Sequence, residues 1–179
     1  MKKVISAAIL SLSMLTTAHA ENYIDYVSVG LAIQTLQSID NEGLDSTFLD
    51  DDMGMAVVLS AGKNIYEDIA LEFEGSASVS KAEWQLNDAR SDVDFWSLGF
   101  YGAYIWRINN LSIKPRIGLV YENIKSTIGA ISLIDKADMA LSGSIGLTYH
   151  FNQNYAVYSN YTKFEDDMSH LTFGAEYKF

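Results

Sequence analysis

Few side chains in this sequence can do chemistry, and their spacing limits what that chemistry is. There is no cysteine among the 179 residues. That removes disulfides, thiolate metal sites and cysteine nucleophiles. The histidines are His19, His150 and His170. A serine hydrolase needs a histidine base beside its nucleophile and an acid to orient it. Ser169–His170, preceded by Glu165, Asp166 and Asp167, comes nearest to that arrangement. Adjacent strand residues point to opposite faces, so the pair has the wrong geometry. His150, with Thr148 and Glu176 as candidate neighbours, lies beside a short turn. The expectation is a chain without catalytic residues, cofactor or resident metal.

The charged residues are more informative. Glu72, Glu74, Glu122 and Glu176, with Arg107, Lys114, Arg116 and Lys178, alternate with large apolar residues along the chain. Paired carboxylates can serve glycoside hydrolysis, but only across a substrate cleft of defined width. Eight charges on one small-residue face instead predict a mutually neutralising ion-pair network, because a buried charge needs a partner. Glu72 and Glu74 are expected to reach Arg107 or Arg116.

The elements that would position these groups read with period two. Eight runs alternate: 25–37, 53–62, 69–80, 94–107, 111–122, 138–151, 155–163 and 171–179. Within 94–107, Trp96, Leu98, Phe100, Tyr104 and Trp106 oppose Ser97, Gly99, Tyr101, Ala103 and Arg107. Val58 is the one apolar intruder on the small face of its run. No stretch carries a convincing helical stripe. The runs are long enough for tilted transmembrane strands. Short turns at 63–68, 108–110 and 152–154 alternate with longer connections at 38–52, 81–92, 125–137 and 164–170. This predicts an all-β fold, an eight-stranded antiparallel up-and-down transmembrane β-barrel. The single proline, Pro115, falls on the apolar face near a strand start, where proline is tolerated.

Volume decides which face is inside. An eight-stranded barrel has an interior just wide enough to be filled by side chains. The Trp, Phe, Tyr, Leu and Met face would overfill it, whereas the Gly, Ala and Ser face fits. The apolar face therefore points to lipid. Trp96, Tyr121 and Tyr161 near the long connections, and Tyr104, Trp106, Tyr149, Phe151 and Tyr155 near the short turns, form two candidate interfacial girdles.

The first residues read as an address: Lys2 and Lys3, an apolar run to Leu15, then Ala18 and Ala20 at the −3 and −1 positions of a cleavage site. We expect a signal peptide over 1–20, secretion, and a mature barrel domain over 21–179. The formal charge is −11. It becomes −13 once Lys2 and Lys3 are removed. Most of the acids lie in or at the edges of the long connections, Asp40, Glu42, Asp45, Asp50, Asp51 and Asp52 among them. Such a balance argues against nucleic acid. No stretch has the spacing of a calcium-binding EF-hand loop.

The last strand carries Thr172, Gly174, Tyr177 and Phe179. This pattern is similar to the C-terminal assembly signal of bacterial outer-membrane proteins. The stretch Ile113-Lys-Pro-Arg-Ile-Gly118 resembles the fifth strand of small OmpA-like and opacity-like barrels. The resemblance implies placement in the bacterial outer membrane, contact with its lipid and lipopolysaccharide, and handling by the barrel-assembly machinery. It implies a monomer with a structural, adhesive or protective role through its acidic loops and an unidentified host or surface ligand. The alternatives are a narrow porin-like channel and, third, a lipid A-modifying enzyme.

Overall fold

The computed structural model describes residues 23–36, 54–80, 82–86, 89–128, 131–164 and 168–179. The expected signal peptide with Ala18 and Ala20, the whole of the first acidic connection and the acids at 165–167 lie outside the described residues.

The described chain is strand and turn. Its segments are β1 (Tyr26–Leu36), β2 (Gly54–Tyr66), β3 (Ile69–Ser80), β4 (Ala82–Leu86), β5 (Ala89–Tyr104), β6 (Trp106–Ile108), β7 (Leu111–Ile128), β8 (Ile131–His150), β9 (Tyr155–Phe164) and β10 (Met168–Lys178). All pairings are antiparallel. β3 and β4 both pair with β5, so they form one stave. β5 and β6 both pair with β7 and form another. Ten segments thus make the eight staves of a closed up-and-down barrel. The first and last strands close it, from Tyr26 opposite Lys178 to Leu36 opposite Met168.

Burial alternates as the volume argument requires. Ala32, Ala56, Ala70, Ala103, Ser97, Ser142 and Thr162 face the lumen and are buried, while Leu31, Phe73, Phe100, Leu119, Leu141 and Phe173 face outward and are exposed. Val58 also points inward, packing with Ala32 and Ala56. Pro115 occupies an outward position on β7 opposite Ile145.

Turn chemistry explains the short connections. Asn109 has φ 54°, in the left-handed region that asparagine tolerates better than most residues. Asn152 Oδ1 accepts from the backbone N–H groups of Asn154 at 2.9 Å and Tyr155 at 2.8 Å. That is an Asx turn, which lets the side chain replace a missing ladder bond.

Three expected long connections are corrected. Of 164–170, Phe164 ends β9 and residues 168–170 open β10. Most of 81–92 and of 125–137 is strand: β4 with the start of β5, and the end of β7 with the start of β8. These ladders continue past the lipid zone, where one apolar face is no longer required. The amphipathic period fades there although the backbone pairing persists.

Three lumen tyrosines lie over glycines. Tyr26 covers Gly62, Tyr101 covers Gly99, and Tyr158 covers Gly30 and Gly174. The last contact matters most, because Gly30 and Gly174 face each other across the closing seam. A Cβ on Gly174 would stand 2.6 Å from the Tyr158 ring, and one on Gly30 2.6 Å from its hydroxyl.

Candidate functional site

Period two places Glu72 and Glu74 of β3, Lys114 and Arg116 of β7, and Glu176 of β10 on inward positions. The barrel then brings them together. Lys114 Nζ donates to Glu72 Oε1 at 2.8 Å and to Glu176 Oε2 at 3.2 Å. Arg116 Nη1 donates to Glu72 Oε2 and to Glu74 Oε2, each at 2.8 Å. Arg116 Nε donates to Ser144 Oγ at 2.6 Å, and its other terminal nitrogen to Thr162 Oγ1 at 3.4 Å. Tyr26 donates to Glu72 at 2.5 Å. The Lys114 ammonium lies 4.6 Å from the Tyr26 ring centroid and the Arg116 guanidinium 4.6 Å from that of Tyr101. Glu72 is 1% exposed and Arg116 8%. Such a cluster is stable only because nearly every donor and acceptor is taken; removing one partner of a buried pair costs about 3–5 kcal/mol.

Three other charges predicted for this network sit elsewhere. Arg107 is exposed at the turn end, where it donates to Asp68 Oδ1 at 2.9 Å and to the Glu67 carbonyl. It lies at the far end of its stave, two residues before the Asn109–Asn110 turn, and does not reach Glu72 or Glu74. Lys178 lines a cavity at the same mouth. Glu122 is buried, but six residues beyond Arg116 along β7, roughly 20 Å at the rise of a strand.

An aromatic layer lies on the loop side of the ion pairs. His170 is buried against Phe95 and Phe164, with ring centroids 5.5 and 4.7 Å away. The Gln34 amide donates to its Nε2 at 3.0 Å, so the base position of this ring is already occupied. Ser169 is buried too. His150, at the turn end, is 3.0 Å from Ser112 Oγ. The described residues hold no group of three metal-ligating side chains.

On the outer face, Trp96 packs on Tyr121 at 5.5 Å, Tyr149 on Phe151 at 5.4 Å and Tyr155 on Tyr177 at 5.2 Å. Tyr104, Trp106 and Tyr161 are exposed there as well. Sequence reasoning missed Tyr66, 71% exposed on the turn-side rim, because β2 runs four residues past the apparent end of its pattern. It also passed over Tyr26, Tyr101 and Tyr158 as lumen fillers, although their parity put them inside. In the C-terminal motif, Thr172 and Gly174 face the lumen, and Phe179 packs on Tyr177 at 5.3 Å.

Residues 4–179 match the family described as outer membrane protein beta-barrel domain. Neisserial surface protein A is a similar solved structure, with 17% identity, a TM-score of 0.66, and 86% of this chain and 96% of that one covered. Ail, the attachment invasion locus protein of Yersinia pestis, gives 18%, 0.61, 87% and 97%. OprG of Pseudomonas aeruginosa gives 12%, 0.62, 87% and 96%. No curated protein matches the chain.

Proposed function

Because the chain belongs to the outer membrane protein beta-barrel domain family and lies in the bacterial outer membrane, we propose that it is a structural and surface-interaction barrel. It presents acidic extracellular loops above a lumen that passes no solute. The observation that carries this reading is the ion-pair cluster. Lys114 and Arg116 bridge β7 to carboxylates on β3 and β10. Tyr26 and Tyr101 pack against these cations. An eight-stranded interior has little room left once such groups fill it.

The sign of the loops narrows the partner. Ail has been solved with a heparin analogue, sucrose octasulfate, which is a polyanion. The loops here carry Asp40, Glu42, Asp45 and the run Asp50–Asp52. They favour a basic protein surface, or lipopolysaccharide phosphates bridged by divalent cations. The barrel works as a monomer, and the barrel-assembly machinery reads its C-terminal strand.

Binding of whole cells or folded protein to basic matrix proteins and to lipopolysaccharide tests the reading. Deleting 40–52 should abolish binding and rising salt should weaken it. Unchanged binding after deletion of all four loops contradicts it. A narrow channel is the second reading, favoured by the open cavity at the turn-side mouth; it requires the ion pairs to part.

A further inference from the structure

The outer wall of the barrel carries a charge that neither the ion-pair cluster nor the surface reading uses. Among the described side chains, the charged residues that alternate onto the outward face of the strands are Lys63 and Lys163. Lys63 lies at the turn-side end and is taken by Asp25 at 2.7 Å. Lys163 lies at the loop-side end of β9 and is exposed. It has no ion-pair partner among the described residues. An ammonium on a wall that otherwise meets hydrocarbon is costly unless it reaches the headgroups.

Its height lets it do so. Tyr155, in the turn-side girdle, opens the same strand. From there to Lys163 the strand rises roughly 27 Å. Tilted by about 40°, it crosses about 20 Å of an apolar band about 25 Å tall. The flexible stem of Lys163 carries its ammonium the remaining distance, to the phosphates of the outer leaflet.

Beside this charge the wall is notched. Gly143 of β8 lies directly across the ladder from Lys163. It is exposed, and a Cβ built on it would meet no heavy atom within 4 Å. Larger side chains stand around it: Ile117 opposite on β7, Ile145 next on the same face of β8, and Tyr161 opposite Ile145 on β9. All three are exposed. Neighbouring strands are about 4.8 Å apart, so one missing side chain leaves room for one acyl chain.

We propose that this notch is a lipid A-binding site, in which Lys163 pairs with a lipid A phosphate and Gly143 forms the floor under an acyl chain. Charge complementarity selects the occupant. A phosphate monoester such as lipid A bears carries nearly two negative charges, whereas the phosphodiester of a glycerophospholipid carries one. The contact is direct and needs no divalent cation. It rests on placement in the outer membrane and not on the role of the loops, so it fails or holds separately from the surface reading.

Nuclear magnetic resonance of the folded barrel in maltoside micelles with excess chelator tests this, because chelation removes any cation-bridged binding to the loops. Diphosphoryl lipid A should produce saturable shifts at the amides of Gly143, Tyr161 and Lys163. Lys163→Gln should weaken binding by about tenfold or more, the loss expected for one hydrogen bond between charged groups. Lys163→Arg should retain it. Lys63→Gln, which removes an equal charge from the turn-side end, should leave it unchanged. Heat-shifted migration on gels checks that each variant is folded. Gly143→Leu fills the notch and should also weaken binding, with Gly143→Ala in its place if the leucine variant does not fold. Undiminished binding by folded Lys163→Gln overturns the proposal, as does the absence of saturable shifts. Equal binding of lipid A stripped of its phosphates overturns it in favour of an acyl-chain groove. Equal binding of short-chain phosphatidylglycerol overturns it in favour of a general phospholipid contact.

Discussion

Arg116 uses all three guanidinium nitrogens: two carboxylates on one, Ser144 and Thr162 on the others. Replacing it with methionine keeps the volume but removes the cation from Glu74 and leaves Glu72 with Lys114 and Tyr26 alone. Urea unfolding in lipid vesicles should show Arg116→Met destabilised by about 3–5 kcal/mol. Arg116→Lys should recover only part of this, because an ammonium cannot reproduce the planar fork. Adding Glu72→Gln to Arg116→Met should cost less than the sum of the single changes, since both act on one network. A second residue-scale effect lies outside the strands. Partial burial pushes the Asp25 carboxyl up, but Lys63 at 2.7 Å and the Asn64 N–H at 2.7 Å outweigh it and hold its pKa below the ordinary value. A carboxyl lowered on folding contributes stability above its unfolded pKa and loses it as pH falls through the folded one. The wild type should therefore lose stability below about pH 4 that Asp25→Asn does not. The difference should stay under about 1 kcal/mol, because the pair is partly exposed.

At the scale of the strand, Gly174 links the C-terminal motif to barrel closure. Its partner across the seam is Gly30, and Tyr158 lies over both. Gly174→Ala forces a methyl group into that ring and into the Val29 carbonyl. Overpacking of this kind costs about 1–3 kcal/mol. Gly174→Ala should unfold at lower urea, and Tyr158→Ala in the same chain should restore part of the loss. An unshifted midpoint would show that the seam can yield. The strands were legible wherever one face meets lipid and the other the lumen. Leu98 against Ser97, or Leu141 against Ser142, declare their faces by type alone. Legibility ended where the environment became uniform. Thr127, Ile128 and Ile131 belong to a ladder that needs no apolar face, and they read as a loop. The inward charges were legible as a set, but their partners were not. Pairing depends on where each residue sits along the barrel axis, and parity carries no axial coordinate. Arg107 and Glu122 share parity with Arg116, yet they lie at opposite ends of the lumen.

For the whole molecule, the fold divides the chain into an apolar outside, an interior crossed by the ion pairs of Lys114 and Arg116, and a strongly acidic set of connections. If the ion pairs closed only part of the cross-section, the same barrel would be a pore. Single-channel recording of the folded wild-type barrel in a planar bilayer at neutral pH therefore tests the central claim most directly. The account predicts no discrete current steps above the bare membrane across the physiological voltage range. Stable, ion-selective steps from the unaltered protein would contradict it and make the lumen, not the loops, the working part of the molecule.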